Sequence, residues 1–247
     1  MDVITNLQTI ARLAESLLGR GASAGGPEAV QSEVRVVRHL LGARTQPLLV
    51  DIGGNRGDYS GELLAAFPGA TIHLVEPQQA LLRSLGERFA GRSVAVHHLA
   101  FSDHGGEAPL FSDVPGSGLA SLYRRDLRHV SMTMESCETV PVVRFDTWAD
   151  QHLAGQVVDF VKIDVEGAEL AVLKGMGAWL ERIQLIQFEF GGTAIDARTF
   201  FRDYYYFLRN YGFNILRLSP LGLIAVNSYS EHEESFLYQV LFAIKPA

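Results

Sequence analysis

The chain has 247 residues, a formal net charge of -7 and a hydrophobic fraction of 47%, which suffices to bury the core of one α/β domain. The acidic balance argues against extended nucleic-acid binding, for which a basic face is the expected footprint. Cys137 is the single cysteine, which excludes an internal disulfide. With no apolar run near the roughly 18 residues of a membrane span and no signal-peptide pattern, we predict a cytoplasmic protein.

Two amphipathic helices are predicted before the first strand. Residues 2–19 place apolar side chains at helical spacing, and a second helix over 27–42 begins at Pro27 and carries Val30, Val34 and Val37 on one stripe. A glycine-rich connector, 19–26, separates them. We treat residues 1–45 as an N-terminal helical extension. Whether it caps the sheet, covers a cofactor or forms a homodimer contact is left open.

From residue 46 onward, short apolar strands alternate with helices. The strands are predicted at 48–52, 71–75, 93–98, 158–163 and 183–189, and the helices at 57–66, 78–89, 166–174 and 197–211. This alternation predicts a mostly parallel, doubly wound α/β sheet in one catalytic domain, 46–247.

Two segments depart from this alternation. The tail carries two further strands, 213–218 and 236–244, which we expect to form an antiparallel pair. The segment 103–146, rich in Gly, Ser and Asp, is an insertion that we expect to face the ligand. Within it, Arg124, Arg125 and Arg128 are interpreted as a solvated helix face.

The first strand ends in the glycine-rich loop LVDIGGNRGDY, and Glu76 ends the second strand. Ligands of such sheets lie at the carboxyl ends of the strands, where a carboxylate like that of Glu76 accepts ribose hydroxyls. The loop lacks the G-x-G-x-x-G spacing of dinucleotide sites. Asp51, two residues before the first glycine, is expected to point toward the mouth of the site, where it would repel a pyrophosphate but favour a cation. S-adenosylmethionine carries a sulfonium, an ammonium and a ribose but no phosphate, and it fits. A nicotinamide enzyme is the alternative.

A second acidic motif follows the fourth strand, where FVKID runs into VEGAE. Asp164 and Glu166 lie at this turn, and Glu189 ends the next strand, so all three are candidate catalytic carboxylates. Glu169 is interpreted as binding the helix N-terminus, and Glu189 has an alternative role as partner of Arg198. Asp164 with Glu166 or Glu189 could also hold Mg²⁺. We favour catalysis without a metal and leave that alternative open.

The combined motifs resemble the FkbM family of S-adenosylmethionine-dependent methyltransferases. The matching segments, spread over roughly 47–245, are VDIGGNRGDYS, IHLVEP, VRFDTWAD, VKIDVEGAELAVLKGM and IQFEFGG. The resemblance implies a Rossmann-like class I methyltransferase fold. Gly54 stands where alanine is common in the family, and we expect this difference to leave binding undisturbed.

The resemblance also assigns roles to residues of the loop and of the strand ends. It implies that the methionine portion of the cofactor is held by Asp51, Gly53, Asn55 and Gly57. It implies that Glu76 holds the ribose and that Ser102 and Asp103 lie near the adenine.

The implied reaction is O-methylation of a hydroxyl on a small-molecule or glycan acceptor. RTFFRDY and LRLSPLGL resemble the C-terminal part of family members that accompany polysaccharide biosynthesis, so we predict a sugar hydroxyl as acceptor. The alternatives are O-methylation of a polyketide-type natural product and, from another class, cofactor binding without turnover.

Overall fold

The computed structural model describes residues 3–21 and 26–246. In chain order the elements are α1 (Val3–Leu17), α2 (Pro27–Leu41), β1 (Leu48–Ile52), α3 (Asp58–Ala66), β2 (Thr71–Val75), α4 (Gln79–Arg88), β3 (Val94–His97), β4 (Ala100–Ser102), β5 (Gly106–Ser112), β6 (Ser136–Arg144), α5 (Phe145–His152), β7 (Val158–Ile163), α6 (Glu169–Met176), β8 (Ile183–Phe190), α7 (Thr193–Ala197), α8 (Phe201–Asn210), β9 (Asn214–Ser219), β10 (Gly222–Val226) and β11 (Gln239–Ile244). No helix within these two described ranges is both long and apolar enough to cross a membrane.

An eight-stranded sheet forms the centre, in the order β10-β9-β11-β8-β7-β1-β2-β3. The strands from β8 to β3 in this order run parallel, whereas β11 pairs antiparallel with both β8 and β9. The predicted mostly parallel α/β sheet with C-terminal antiparallel strands is confirmed. β10 was not predicted, because its short segment follows a Pro-Leu turn and forms a hairpin with β9.

Helices cover both faces of this sheet. On one face α2, α3 and α4 pack around Val37, Leu63 and Leu85, and on the other α5, α6 and α8 pack around Leu173 and Tyr204. The strand order reverses between β1 and β7. A cleft outside the carboxyl ends of these two strands is therefore the expected ligand site.

The N-terminal extension has one packed and one exposed helix. Pro27 opens α2 at its first turn, and Val34 and Val37 bury the stripe that the sequence predicts. By contrast, α1 leaves its apolar residues 60–66% exposed, namely Ile4, Leu7, Ile10 and Leu13. Residues 22–25 of the predicted connector lie outside the described residues. The homodimer contact stays a prediction.

The insertion forms a second, three-stranded sheet in the order β4-β6-β5. Between β5 and β6 the chain returns toward the main sheet. The interpretation of the arginine cluster as a helix face is wrong, because the chain at Arg124 and Arg125 is not helical and Arg128 begins a single 3₁₀ turn. The Arg125 side chain is only 11% exposed, because it is paired with acidic residues.

A histidine cluster lies beside the edge of the sheet at β2 and β3. Its members are His73, His97 and His152, which surround the indole of Trp148. His73 Nδ1 and His97 Nε2 are 2.9 Å apart. Burial and, to a smaller extent, the neighbouring His73 and His152 lower the pKa of His97 to about 4.

Candidate active site

A cavity of about 670 Å³ opens at the carboxyl ends of β1, β2, β7 and β8, a volume typical of small-ligand sites. Its walls come from α2, the glycine loop, the ends of these strands and the returning segment of the insertion. The insertion therefore faces the cavity, as the sequence predicts.

Two glycines hold the loop tightly against its neighbours. Gly53 has φ +83°, and a Cβ placed there would lie 1.8 Å from the carbonyl oxygen of Asp164. Gly57 has φ +80° at the start of α3, and its Cβ would lie 2.6 Å from the ring of Phe89. Only glycine fits these two positions. At Gly53 the loop runs directly over the end of β7, and at Gly57 it packs against Phe89.

Gly54 is also crowded, although its φ is ordinary. A Cβ at this position would lie 2.5 Å from Cγ of Leu74, which is fully buried in the core. An alanine at this position would therefore require Leu74 to shift to make room.

Glu76 is fixed at the end of β2 by the backbone. Its two carboxylate oxygens accept the N–H groups of Asn55 and Gln78, each at 2.8 Å, and the residue is only 2% exposed. Burial raises the pKa of Glu76, and the two backbone donors oppose that rise. The carboxylate lines the cavity with lone pairs to spare for further hydroxyl donors.

The segment that follows β5 is anchored beside Glu76. Asn55 Nδ2 and Gln78 Nε2 both donate to the carbonyl of Ser117, at 3.0 and 2.9 Å, and the N–H of Gly116 donates back to Gln78 Oε1 at 2.9 Å. Asn55 itself adopts a left-handed conformation, with φ 44°. These contacts hold one wall of the cavity over the glycine loop.

Beneath the loop, Asp51, Lys162 and Gln187 form a row across β1, β7 and β8, as register neighbours. Asp51 is fully buried and accepts Ser60 Oγ at 2.6 Å, while its Oδ1 has no hydrogen-bond partner in the described chain. The expectation that Asp51 points toward the mouth is wrong: its side chain turns toward α3 and lies behind the cavity wall.

Lys162 is the cation of this row. Its Nζ donates to Asp164 Oδ2 at 2.7 Å and lies 4.8 Å from the ring centroid of Tyr59. Burial alone would lower the pKa of Lys162, but Asp164, Asp51 and Glu189 together raise it. Lys162 is therefore charged, and Asp164, whose side chain is 29% exposed, presents its carboxylate to the cavity.

Glu189 lines the cavity at the end of β8. Its Oε1 accepts the hydroxyl of Tyr238 at 2.7 Å. The alternative partner, Arg198, is wrong: that residue ends α7 in a left-handed conformation instead of continuing a helix into α8. Burial and the nearby Asp164 raise the pKa of Glu189 well above its ordinary value.

Glu166 occupies the turn between β7 and α6, with φ 55°. Its Oε2 lies 2.5 Å from Nη1 of Arg125, whose Nε is 3.8 Å from Asp196. Burial raises the pKa of Glu166 to about 8, and Asp164 contributes to the rise.

Glu169 has a structural role at the same turn. Its Oε1 accepts the N–H groups of Gly167 at 3.0 Å and Val165 at 3.2 Å. The interpretation that it serves the helix N-terminus is confirmed, and it explains why α6 begins at Glu169 and not at Glu166.

Ser102 and Asp103 do not reach the cavity. Ser102 is buried against α6, where a Cβ on Gly175 would lie 2.1 Å from the Ser102 carbonyl, and Asp103 pairs with the exposed His104. The physical reason is that β4 turns away to join the second sheet. The two residues that were predicted near the adenine thus lie outside the cavity, whereas the residues just before them, 99–101, line it.

One residue that the sequence did not single out is Glu33 of α2. It lines the cavity, and its Oε2 accepts Gln187 Nε2 at 2.6 Å. Gln187 Oε1 in turn accepts the hydroxyl of Tyr59 at 2.5 Å. The available signal was its place on the apolar stripe of α2, three residues after Val30 and one before Val34. An acid at a buried stripe position is unusual unless it has partners.

Within residues 3–21 and 26–246, no group of three or more His, Cys, Asp or Glu side chains is arranged to hold a metal ion.

Comparison with known proteins agrees with this site. The model of the methyltransferase FkbM domain matches residues 51–215. Methyltransferase sdnD of Sordaria araneosa is 30% identical over 160 residues, which span 53% of this chain and 61% of that relative. The matched region thus covers about three fifths of the relative's length.

Two solved methyltransferases resemble the chain more distantly. The precorrin-6y C5,15-methyltransferase of Geobacter metallireducens has a TM-score of 0.45 at 12% identity, over 87% of this chain and 88% of that one. An S-adenosylmethionine-dependent O-methyltransferase of Thermotoga maritima has a TM-score of 0.45 at 9% identity, over 92% and 68%.

The family match covers both acidic motifs and the glycine loop. The predicted family and the predicted Rossmann-like class I methyltransferase fold are thus confirmed. The chain belongs to the FkbM methyltransferase domain family.

Proposed function

We propose that this protein transfers the methyl group of S-adenosylmethionine to a hydroxyl group, with a sugar hydroxyl as the preferred acceptor. The observation that carries the proposal is the pairing of two features in one cavity. One is Glu76, held by two backbone donors beside the glycine loop, and the other is the group of carboxylates around Lys162.

The residues present fit the cofactor. Glu76 is pre-positioned to accept ribose hydroxyls, and the loop from Gly53 to Gly57 leaves the backbone open to close approach. Residues 99–101 and 117–120 supply apolar and backbone surface for the adenine.

Charge gives a further test of the fit. Lys162 is surrounded by the acidic side chains of Asp51, Asp164, Glu189 and Glu33, so acidic groups outnumber the cation. The buried Oδ1 of Asp51 has no partner in the described chain. S-adenosylmethionine, whose sulfonium and ammonium outweigh its single carboxylate, would reduce this excess, whereas a pyrophosphate would add to it.

When bound, S-adenosylmethionine supplies a methyl group on sulfur that is already activated for displacement. The protein must hold the acceptor oxygen in line and remove its proton. We assign the proton of the acceptor hydroxyl to Asp164, because its carboxylate is presented to the cavity and is paired with the ammonium of Lys162. Glu189 and Glu166 flank this position, and their raised pKa values suit them to hydrogen-bond the acceptor.

The acceptor class is the finer part of the proposal. Beside Asp164 the cavity is lined by polar groups that could bind several hydroxyls, including Arg125, Thr193 and Tyr238. This favours a polyhydroxylated ring over a wholly apolar molecule. O-methylation of a polyketide-type natural product is the second candidate, since the apolar side chains of Leu99, Leu119 and Leu122 line the same cavity.

A transfer assay tests this function. The protein is incubated with S-adenosylmethionine labelled in its methyl group, against one panel of sugars and glycans and one panel of hydroxylated natural products. We expect label to appear as a base-stable methyl ether on a sugar. Transfer only to the second panel would overturn the acceptor class, and transfer to a nitrogen or carbon would overturn O-methylation.

A further inference from the structure

The N-terminal helix α2 lies outside the region that matches the family model, residues 51–215. Nevertheless its residues Gly26, Ala29, Val30 and Glu33 form one wall of the cavity. Val34 and Val37 fix the helix on the sheet by packing into the core around β1 and β7. The wall therefore belongs to a helix that is packed on the core.

Glu33 is the charged residue that this wall contributes to the cavity. It is only 8% exposed, and its Oε2 is engaged by the amide of Gln187 at 2.6 Å. Within the described chain its other oxygen, Oε1, has no hydrogen-bond partner and no ion pair. This oxygen is open to the cavity, so a ligand that donates to it would complete the hydrogen bonding of a carboxylate that is otherwise more than nine-tenths buried.

The neighbours of Glu33 indicate the sign of that ligand. Gln187 and Tyr59 tie Glu33 to the row that contains Asp51 and Lys162. The ammonium of Lys162 is already committed to Asp164. The amides and hydroxyls around Glu33 are neutral, so a cationic group is the ligand that its free oxygen would accept best.

We propose that Glu33 binds the ammonium of the amino-acid end of the cofactor, which makes the N-terminal extension a working part of the active site. This rests on the proposed function. Glu76 lies on the other side of the glycine loop, at the end of β2, so the ribose and the amino-acid end are held by different elements. α2 then recognises the part of the cofactor that the ribose site does not touch.

The test is isothermal titration calorimetry of the full chain with two thioether probes, whose dissociation constants are compared. S-adenosylhomocysteine has the amino-acid end, whereas 5′-methylthioadenosine has the same nucleoside without it. The variant is Glu33→Gln, which keeps an oxygen for Gln187 but removes the charge. Glu28→Gln on the same helix is the matched control, since Glu28 is exposed.

We expect Glu33→Gln to weaken the binding of S-adenosylhomocysteine at least roughly tenfold, which is the loss typical of a charge-assisted hydrogen bond. The affinity of Glu33→Gln for 5′-methylthioadenosine should stay within about twofold of the wild-type value. Glu28→Gln should change the affinity for neither probe. Glu33→Asp keeps the charge, so it should bind S-adenosylhomocysteine more tightly than Glu33→Gln does. Thermal unfolding without ligand checks that each variant is folded.

Two results would overturn the proposal. One is wild-type affinity of Glu33→Gln for S-adenosylhomocysteine, and the other is an equal loss for both probes, which would mean a structural role. If Glu33→Gln does not fold, Glu33→Asp is measured in its place, and an equal loss of affinity for both probes would again overturn the proposal. Failure of the wild type to bind either probe would instead count against the proposed function.

Discussion

Replacement of Gly53 by alanine probes the close contact on which the site depends. Two costs arise. An L-residue at φ +83° costs about 1–2 kcal/mol, and the added Cβ would lie 1.8 Å from the Asp164 carbonyl oxygen, where real contacts stay beyond 3.0 Å. The loop and the end of β7 must therefore separate by about 1.2 Å, the difference of these two distances. We estimate a further cost of about 1–3 kcal/mol for that overpacking.

Gly91→Ala is the matched control. Gly91 has φ +71°, but nothing lies within 4 Å of its added Cβ, so it reports the backbone cost alone. For a chain of this size 1 kcal/mol corresponds to about 2–4 °C in Tm. We expect Gly91→Ala to lose about 2–8 °C by calorimetry and Gly53→Ala about 2–12 °C more.

Binding should separate the same two variants. Displacement of the loop from Asp164 should weaken the binding of S-adenosylhomocysteine to Gly53→Ala more than tenfold, as measured by titration calorimetry. The affinity of Gly91→Ala should equal that of the wild type. The reasoning is refuted if the two variants lose equal stability and Gly53→Ala binds S-adenosylhomocysteine like the wild type.

Three further predictions concern single side chains. Glu76→Gln should weaken S-adenosylhomocysteine by about 10–100-fold in titration calorimetry, since an amide cannot accept from both backbone donors and still serve two hydroxyls. The exposed Glu87→Gln should not change the affinity, and equal affinities of the two variants would refute the ribose assignment. Asp164→Asn should lower kcat at least about 100-fold while the Kd for S-adenosylhomocysteine stays within a few-fold. Turnover at the wild-type rate would remove Asp164 as the base. His97 has its pKa lowered to about 4 by burial, so its neutral form stabilises the fold fully above pH 6.5 and this contribution is lost as the pH falls toward 4. The unfolding free energy of His97→Gln should therefore fall by about 1–2 kcal/mol less between pH 6.5 and pH 4 than that of the wild type. The same substitution at the exposed His129 should leave the pH dependence unchanged. Parallel pH profiles of wild type and His97→Gln would contradict this.

The fold was predictable because its signals are local. β1, β2 and β7 are short apolar runs that end at Ile52, Val75 and Ile163, and helix patterns separate them. Parallel strands bring their carboxyl ends to one edge. Glu76, Asp164 and Glu189 therefore reach a common cavity, as the motifs indicate.

Other parts of the site depend on packing that no local pattern encodes. Asp51 was predicted at the mouth, but its alternation in β1 turns it toward Ser60. Ser102 follows a strand that leaves for the second sheet. Arg125 meets Glu166 across 41 residues of chain, a contact that depends on how the insertion returns.

Glu33 is a residue that the sequence did not single out, because its place at the cavity depends on packing. Its partner Gln187 is 154 residues away, and only the docking of α2 on the sheet brings the two side chains together. An acid on an apolar stripe is an unusual pattern that the sequence does show. The pattern does not indicate which face of the sheet the stripe packs on.

The central claim is that this cavity binds S-adenosylmethionine and not a dinucleotide. The most direct measurement is the thermal shift of the wild-type protein with S-adenosylhomocysteine and, separately, with NAD. At 100 times the Kd a ligand stabilises the folded state by about 2.7 kcal/mol, which corresponds to about 5–11 °C here. We predict such a shift with S-adenosylhomocysteine and none with NAD, whereas a shift with NAD alone would contradict the account.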